Sequence, residues 1–333
     1  MSQFRNLVFE GGGVKGIAYA GAVKVLDKDE KILDGIQRVG GTSAGAITAC
    51  LVALGARGDD IQDIVGHTSF RKFMDDSWGV LRDTRRLLDE YGWYKGDSFA
   101  EWIRKVIYEF AGNPDLTFRE LHQRAQAPKS RMRELYVVGT NLSAQLEQLY
   151  AAEYTPDVPV WLAVRVSMSI PLFFAAVQHE RAILVDGGVT WNYPLDLFDD
   201  RRFVTNAKAA VKPSYTRYDD DHVFNKETLG LRVDTKDEIR AEKEGWRRPP
   251  KEIENILDYS KVLVGFMMDT ANKAHLHQND WHRTIFIDAG GVRSTQFDLS
   301  DEKVTMLVKN GEEGARTYFK WFNDPKQKPM NRV

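Results

Sequence analysis

Two glycine-rich turns, each placed between an apolar run and a helix-spaced segment, confine this chain to a narrow set of folds. Leu7-Val8-Phe9 leads through Glu10 into Gly11, Gly12 and Gly13, the pattern of a buried strand feeding a tight turn. From Ile17 to Leu26 apolar residues recur at helical spacing. Ile36–Val39 runs in the same way into Gly40-Gly41-Thr42-Ser43-Ala44-Gly45, and Ala46–Leu54 reads as a buried helix. Strand, turn and helix repeated in this way imply parallel strands, because parallel neighbours need a helical crossover. We expect an α/β fold of three layers, α/β/α, around a mostly parallel central sheet.

The remaining elements fit one domain over residues 1–333. Its core is expected over 5–200, with a C-terminal extension over 201–333 packed on it. Further strands are expected at Leu135–Thr140, Ile183–Val185, Leu229–Val233 and Thr284–Asp288, with helices at Trp161–Met168, Ile253–His275 and Asp301–Phe322. Asp59–Glu109 reads as mostly helical, and its aromatic stretch from Phe70 to Trp102 suits either a core or an acyl-chain groove. The apolar face within Ile253–Met268 reads as core. Residues 235–252 are dense in charge and contain Pro249-Pro250, which predicts a mobile exposed loop.

A net charge of −2 lacks the basic excess of nucleic-acid binders. The single cysteine, Cys50, excludes an internal disulfide and a multi-cysteine metal site, and its apolar setting reads as a buried hydrophobe. No run reaches the roughly 18 apolar residues of a membrane span, and Met1–Asn6 lacks an apolar signal segment. The expected location is cytoplasmic, peripheral to a membrane when acting, with signal-independent export left open.

Gly41-Thr42-Ser43-Ala44-Gly45 matches G-x-S-x-G, the turn that presents a nucleophilic serine between a strand and a helix. The alternative is that Thr42 and Ser43 merely cap the helix. Gly11-Gly12-Gly13-Val14-Lys15-Gly16 presents backbone amides at a helix start, which suits a phosphate or an oxyanion. Its spacing also fits a dinucleotide-binding loop. That reading requires an acidic residue ending the second strand, where this chain has Gly40 and Gly41. Asp186-Gly187-Gly188 ends a strand and reads either as a simple turn or as the base that a serine nucleophile needs.

Together GGGVKG, GTSAG and DGG, in that order, resemble the motifs of the patatin-like phospholipase family. Ser167-Met168-Ser169-Ile170-Pro171 resembles the segment before the family's aspartate, and Val189–Pro194, with Asn192 and Pro194, resembles the segment after it. The resemblance implies a lipid acyl hydrolase with Ser43 as nucleophile and Asp186 as proton acceptor. It implies an oxyanion hole from the amides of Gly12, Gly13 and Val14. Gly11, Lys15, Gly16, Gly41, Gly45, Gly187 and Gly188 would support that site, Lys15 by lending positive charge. No metal, cofactor or catalytic histidine is implied, and the substrate would be a membrane phospholipid or another acyl-ester lipid. A homo-oligomer or a small-molecule activator is left open.

Two rival readings remain. An α/β-hydrolase esterase would complete a triad with His222, His275, His277 or His282, although that fold places several strands before its serine. The other is a ligand-switched effector that degrades membranes.

Overall fold

The computed structural model describes residues 2–333 apart from 67, 69, 74–90, 212–220, 237–238, 241–252, 255–258, 260–261, 264, 268–269, 272–274, 277–278 and 295. Its strands are β1 (Asn6–Phe9), β2 (Arg38–Thr42), β3 (Gly92–Tyr94), β4 (Glu134–Asn141), β5 (Leu146–Tyr150), β6 (Leu172–Phe174), β7 (Val177–His179), β8 (Ala182–Asp186), β9 (Ala210–Val211), β10 (Phe224–Asn225), β11 (Thr228–Asp234) and β12 (Thr284–Asp288). Its helices include α1 (Ala18–Lys28), α2 (Ala44–Ala53), α3 (Gly58–Gly66), α4 (Asp97–Ala111), α5 (Phe118–Ala125), α6 (Val160–Ser167) and α7 (Asp301–Asn323).

The central sheet has eight strands in the order β12-β11-β1-β2-β4-β8-β7, with β5 also paired to β4. The neighbours from β12 to β4 are parallel, whereas β5, β7 and β8 add antiparallel pairs. All four residues of β1 are buried, as expected of a central parallel strand covered on both faces. Strand order reverses at β1: the chain moves outward through β2 and β4, then returns to the other side as β11 and β12. Such a switch point opens a crevice beyond the carboxyl ends of the strands. The segment 201–333 thus supplies two strands of the main sheet.

Alternation along the strands sends side chains to opposite faces. Leu7, Phe9, Leu135 and Val137 join the large cluster built with the helices, whereas Val8 and Tyr136 pack with Tyr193, Leu195, Phe198 and Phe203. Beneath that second cluster lies a fully buried ionic knot. Arg283 Nη1 and Nη2 donate to the Asp199 carboxylate at 2.5 and 2.6 Å, and Arg283 also bonds Asp280.

Several sequence expectations change. Residues 59–109, expected to be mostly helical, also hold the strand β3, which pairs with β6; three-residue strands leave little periodic signal. Phe73, Phe99 and Trp102 pack together, with Phe73 and Phe99 in the core, whereas Trp78 falls outside the described residues. The expected loop at 235–252 falls largely outside them too, and its described residues Lys236, Ile239 and Arg240 are helical. Of the apolar face expected as core within 253–268, Leu257 lies outside the described residues, and Tyr259, Leu263, Phe266 and Met267 are exposed, Phe266 by 66%.

Candidate active site

Register brings the three motifs together. Phe9 pairs with Gly41, Thr42 with Val138 and Gly139 with Asp186. The glycine loop, the serine turn and the aspartate therefore leave the sheet side by side.

Ser43 sits between β2 and α2 at φ 54° and ψ −128°. Such a backbone is rare for a residue with a side chain, and it persists only where the surroundings enforce it. Gly45 provides one constraint: a Cβ there would lie 2.3 Å from the Phe9 carbonyl oxygen, so only glycine lets α2 seat against the end of β1. Ser167 provides another, because its hydroxyl accepts from Ser43 N–H at 2.8 Å and donates to the Val138 carbonyl at 2.6 Å. Every residue of α2 is buried, so the amides of its first turn concentrate positive potential near Ser43 in a low-dielectric setting. Ser43 is itself 1% exposed, with its Oγ 3.8 Å from Met168 Sδ.

Asp186 ends β8 with no solvent exposure. Burial without a cationic partner disfavours the ionised carboxyl and pushes its pKa up to about 7, while the Ser43 hydroxyl and the Gly188 amide pull it back. The Gly188 N–H donates to Oδ1 at 2.7 Å. Oδ2 has no hydrogen-bond partner. Asp186 is held by its backbone, which donates to the Ser169 carbonyl and accepts from Thr140 Oγ1, both at 2.9 Å. Gly187 accepts from the amides of Thr190 and Trp191, closing the turn.

In the glycine loop, the Val14 amide is not a free donor: it bonds the Ser294 carbonyl at 3.0 Å. That removes Val14 from the expected oxyanion hole. The Gly12 and Gly13 amides have no acceptor among the described residues. Lys15 Nζ donates to the Val233 carbonyl at 2.9 Å, which anchors the ammonium at the end of β11, and its side chain runs beside Gly12. Gly16 lies against Ala44 at the start of α2. The Gly11 N–H donates to the Asn192 carbonyl, and Thr42 Oγ1 donates to that of Trp191.

No histidine among the described residues hydrogen-bonds Ser43 or Asp186. His275 stacks on Trp191 and faces Asp196, which raises its pKa. His282 stacks on Trp281 and accepts from the Met330 amide, and the backbone of His222 forms an isolated antiparallel β-bridge with Asp200. His277 lies outside the described residues. The described residues hold no cluster suited to a metal. Cys50 is fully buried, and that burial pushes its thiol up to about 12. A cavity of about 330 Å³ lined by Arg38, Glu134 and Phe203 begins at the opposite ends of β2 and β4, away from Ser43. Sequence reasoning gave no role to Ser167, Asn192 or Ser294. The first two lie in segments already singled out, whereas Ser294 carries no local signal.

A sequence model described as patatin-like phospholipase matches residues 7–199. The uncharacterized protein YqhO of Bacillus subtilis is 28% identical over 326 residues, covering 94% of this chain and 97% of its own. A probable lipid hydrolase, 463L of Invertebrate iridescent virus 6, is 24% identical, covering 58% of this chain and 63% of its own. Among solved structures, VipD of Legionella pneumophila superposes with a TM-score of 0.58 at 19% identity, covering 96% of this chain and 67% of VipD. That last likeness concerns the fold.

Proposed function

Because the chain belongs to the patatin-like phospholipase family, we propose that it is a lipid acyl hydrolase working through a Ser43–Asp186 dyad and an acyl-enzyme. The observation that carries the reading is the strained Ser43 turn set beside a fully buried carboxyl near neutrality. Ser43 Oγ attacks the ester carbonyl as its proton passes to Asp186. The carbonyl electron pair moves onto oxygen, where the Gly12 and Gly13 amides receive it. Collapse breaks the bond to the leaving alcohol, which takes the proton from Asp186. Water then attacks the Ser43 ester, giving its proton to Asp186; collapse breaks the bond to Ser43 Oγ, which takes that proton back, and the fatty acid departs. A carboxylate with an ordinary pKa would be a feeble base; burial strengthens it.

The substrate in this reading is a phospholipid at a membrane surface, and the enzyme is of phospholipase A or lysophospholipase type. Tyr259, Leu263, Phe266 and Met267 are exposed at spacings that share one helix face. His275, further along the same segment, stacks on Trp191 next to Asn192. No helix among the described residues is long and apolar enough to cross a membrane, so contact would be peripheral. Incubating the protein with phosphatidylcholine vesicles should release fatty acid, and Ser43→Ala should release none. Equal release by both proteins would refute the proposal.

A further inference from the structure

One short loop binds the whole site together. From Asp186 to Asn192 the chain supplies the carboxyl, the Trp191 carbonyl that holds Thr42 Oγ1, and an asparagine that grips the glycine loop. Asn192 makes that grip in two directions. Its carbonyl accepts from Gly11 N–H at 3.0 Å, and its Nδ2 donates to the Gly11 carbonyl at 3.2 Å. Nδ2 also reaches Glu10 Oε1 at 3.4 Å, and Glu10 is buried facing Arg232 Nε. The amide orientation follows from these acceptors, since rotating it would set an oxygen against two oxygens.

Asn192 is 5% exposed, and its Oδ1 has no hydrogen-bond partner. An orphaned buried acceptor is unfavourable, so the placement of Nδ2 is maintained against a cost. The fit is close: a Cβ on Gly11 would lie 2.2 Å from Asn192 Oδ1 and 3.1 Å from Ser43 Cβ. Glycine at position 11 allows Asn192 to reach the loop beside the serine.

The Gly11–Gly12 peptide is trans, and a planar trans unit points its C=O and N–H in opposite directions. Fixing the Gly11 carbonyl therefore fixes the Gly12 N–H, which is one of the two loop amides without an acceptor. With glycines on both sides, little else resists rotation of that unit. We infer that Asn192 is a positioning residue for the oxyanion hole: by holding the Gly11 carbonyl, its side-chain amide aims the Gly12 N–H at the carbonyl oxygen of the reacting ester.

This inference rests on the Ser43 hydrolase reading, and the test separates the two. The variants are Asn192→Leu, close in shape but without the donor, and Asn192→Ala, which only removes atoms. Each is compared with wild type on a matched short-chain aryl ester and aryl thionoester, whose sulfur is a poor acceptor for the hole. Removing one oxyanion donor typically costs about 10²–10³ in kcat. A donor left in place but no longer aimed should cost about 10- to 100-fold, with KM within about twofold. The preference of wild type for ester over thionoester should collapse in the same proportion. Thermal unfolding identifies which variants are folded, and alanine serves if leucine does not fit. A folded variant that loses rate but keeps the wild-type preference overturns the inference, as does one with unchanged rate. A wild type without Ser43-dependent hydrolysis of either substrate overturns the inference together with the hydrolase reading.

Discussion

Replacing Asp186 with asparagine should make the protein more stable and inactive at once, and the gain should depend on pH in a defined way. A carboxyl moved from an ordinary 3.8 to about 7 by burial prefers its neutral form by about 4 kcal/mol. The folded-state pKa lies above the unfolded one, so the folded protein holds a proton that the unfolded chain releases. Below pH 4 both states are protonated and Asp186 imposes no charge penalty. Between pH 4 and 7 the unfolded chain gains by ionising, and stability falls by about 1.4 kcal/mol per pH unit. Above about pH 7 both states are ionised and the penalty is constant. Asparagine has no such titration. The stability of Asp186→Asn relative to wild type should therefore rise by roughly 2–3 kcal/mol between pH 5 and 7, then level off. In a chain of 333 residues, that corresponds to a Tm difference widening by about 3–4 °C. Thermal unfolding of both proteins from pH 5 to 9 reads this directly. A difference that stays flat over pH 5–7, or that narrows with rising pH, would refute the assignment of a raised pKa to Asp186.

Two further outcomes are expected. The base must be ionised to act, so kcat/KM on a soluble ester should climb about tenfold per pH unit at low pH and level off near 7; a profile flat from pH 5 to 9 would exclude Asp186 as the base. Asp199→Ala would leave the fully buried Arg283 guanidinium without its bidentate partner, a change costing about 3–5 kcal/mol; denaturant unfolding that shows under 1 kcal/mol would mean the knot is not a stabilising element.

The local sequence disclosed what local chemistry determines. The strands before the glycine loop and the serine turn could be read because apolar runs end in glycines that few backbones tolerate elsewhere. Ser43 and Asp186 stood out because a nucleophile and a base, the roles proposed for them, each need a particular turn. Elements set by distant pairing were less legible. The strand β3 joins β6 across the 77 residues that separate Tyr94 from Leu172, and no local period signals that partner. The return of β11 to the free edge of β1 likewise depends on tertiary order. Val14 fits every local criterion for an oxyanion donor, yet Ser294 arrives from the far end of the chain and takes its amide. The apolar side chains of Tyr259–Met267 suggested core because hydrophobic periodicity alone does not distinguish a buried face from an exposed one.

The central claim is that Ser43 carries the acyl group, and the most direct test is to catch it there. The protein is mixed with an activated acyl ester, quenched in acid within milliseconds and digested, and its peptides are weighed. The acyl mass should appear on the peptide containing Ser43 in wild type and be absent from Ser43→Ala and Asp186→Asn. Acylation of a different residue, or continued turnover by Ser43→Ala, would contradict the account.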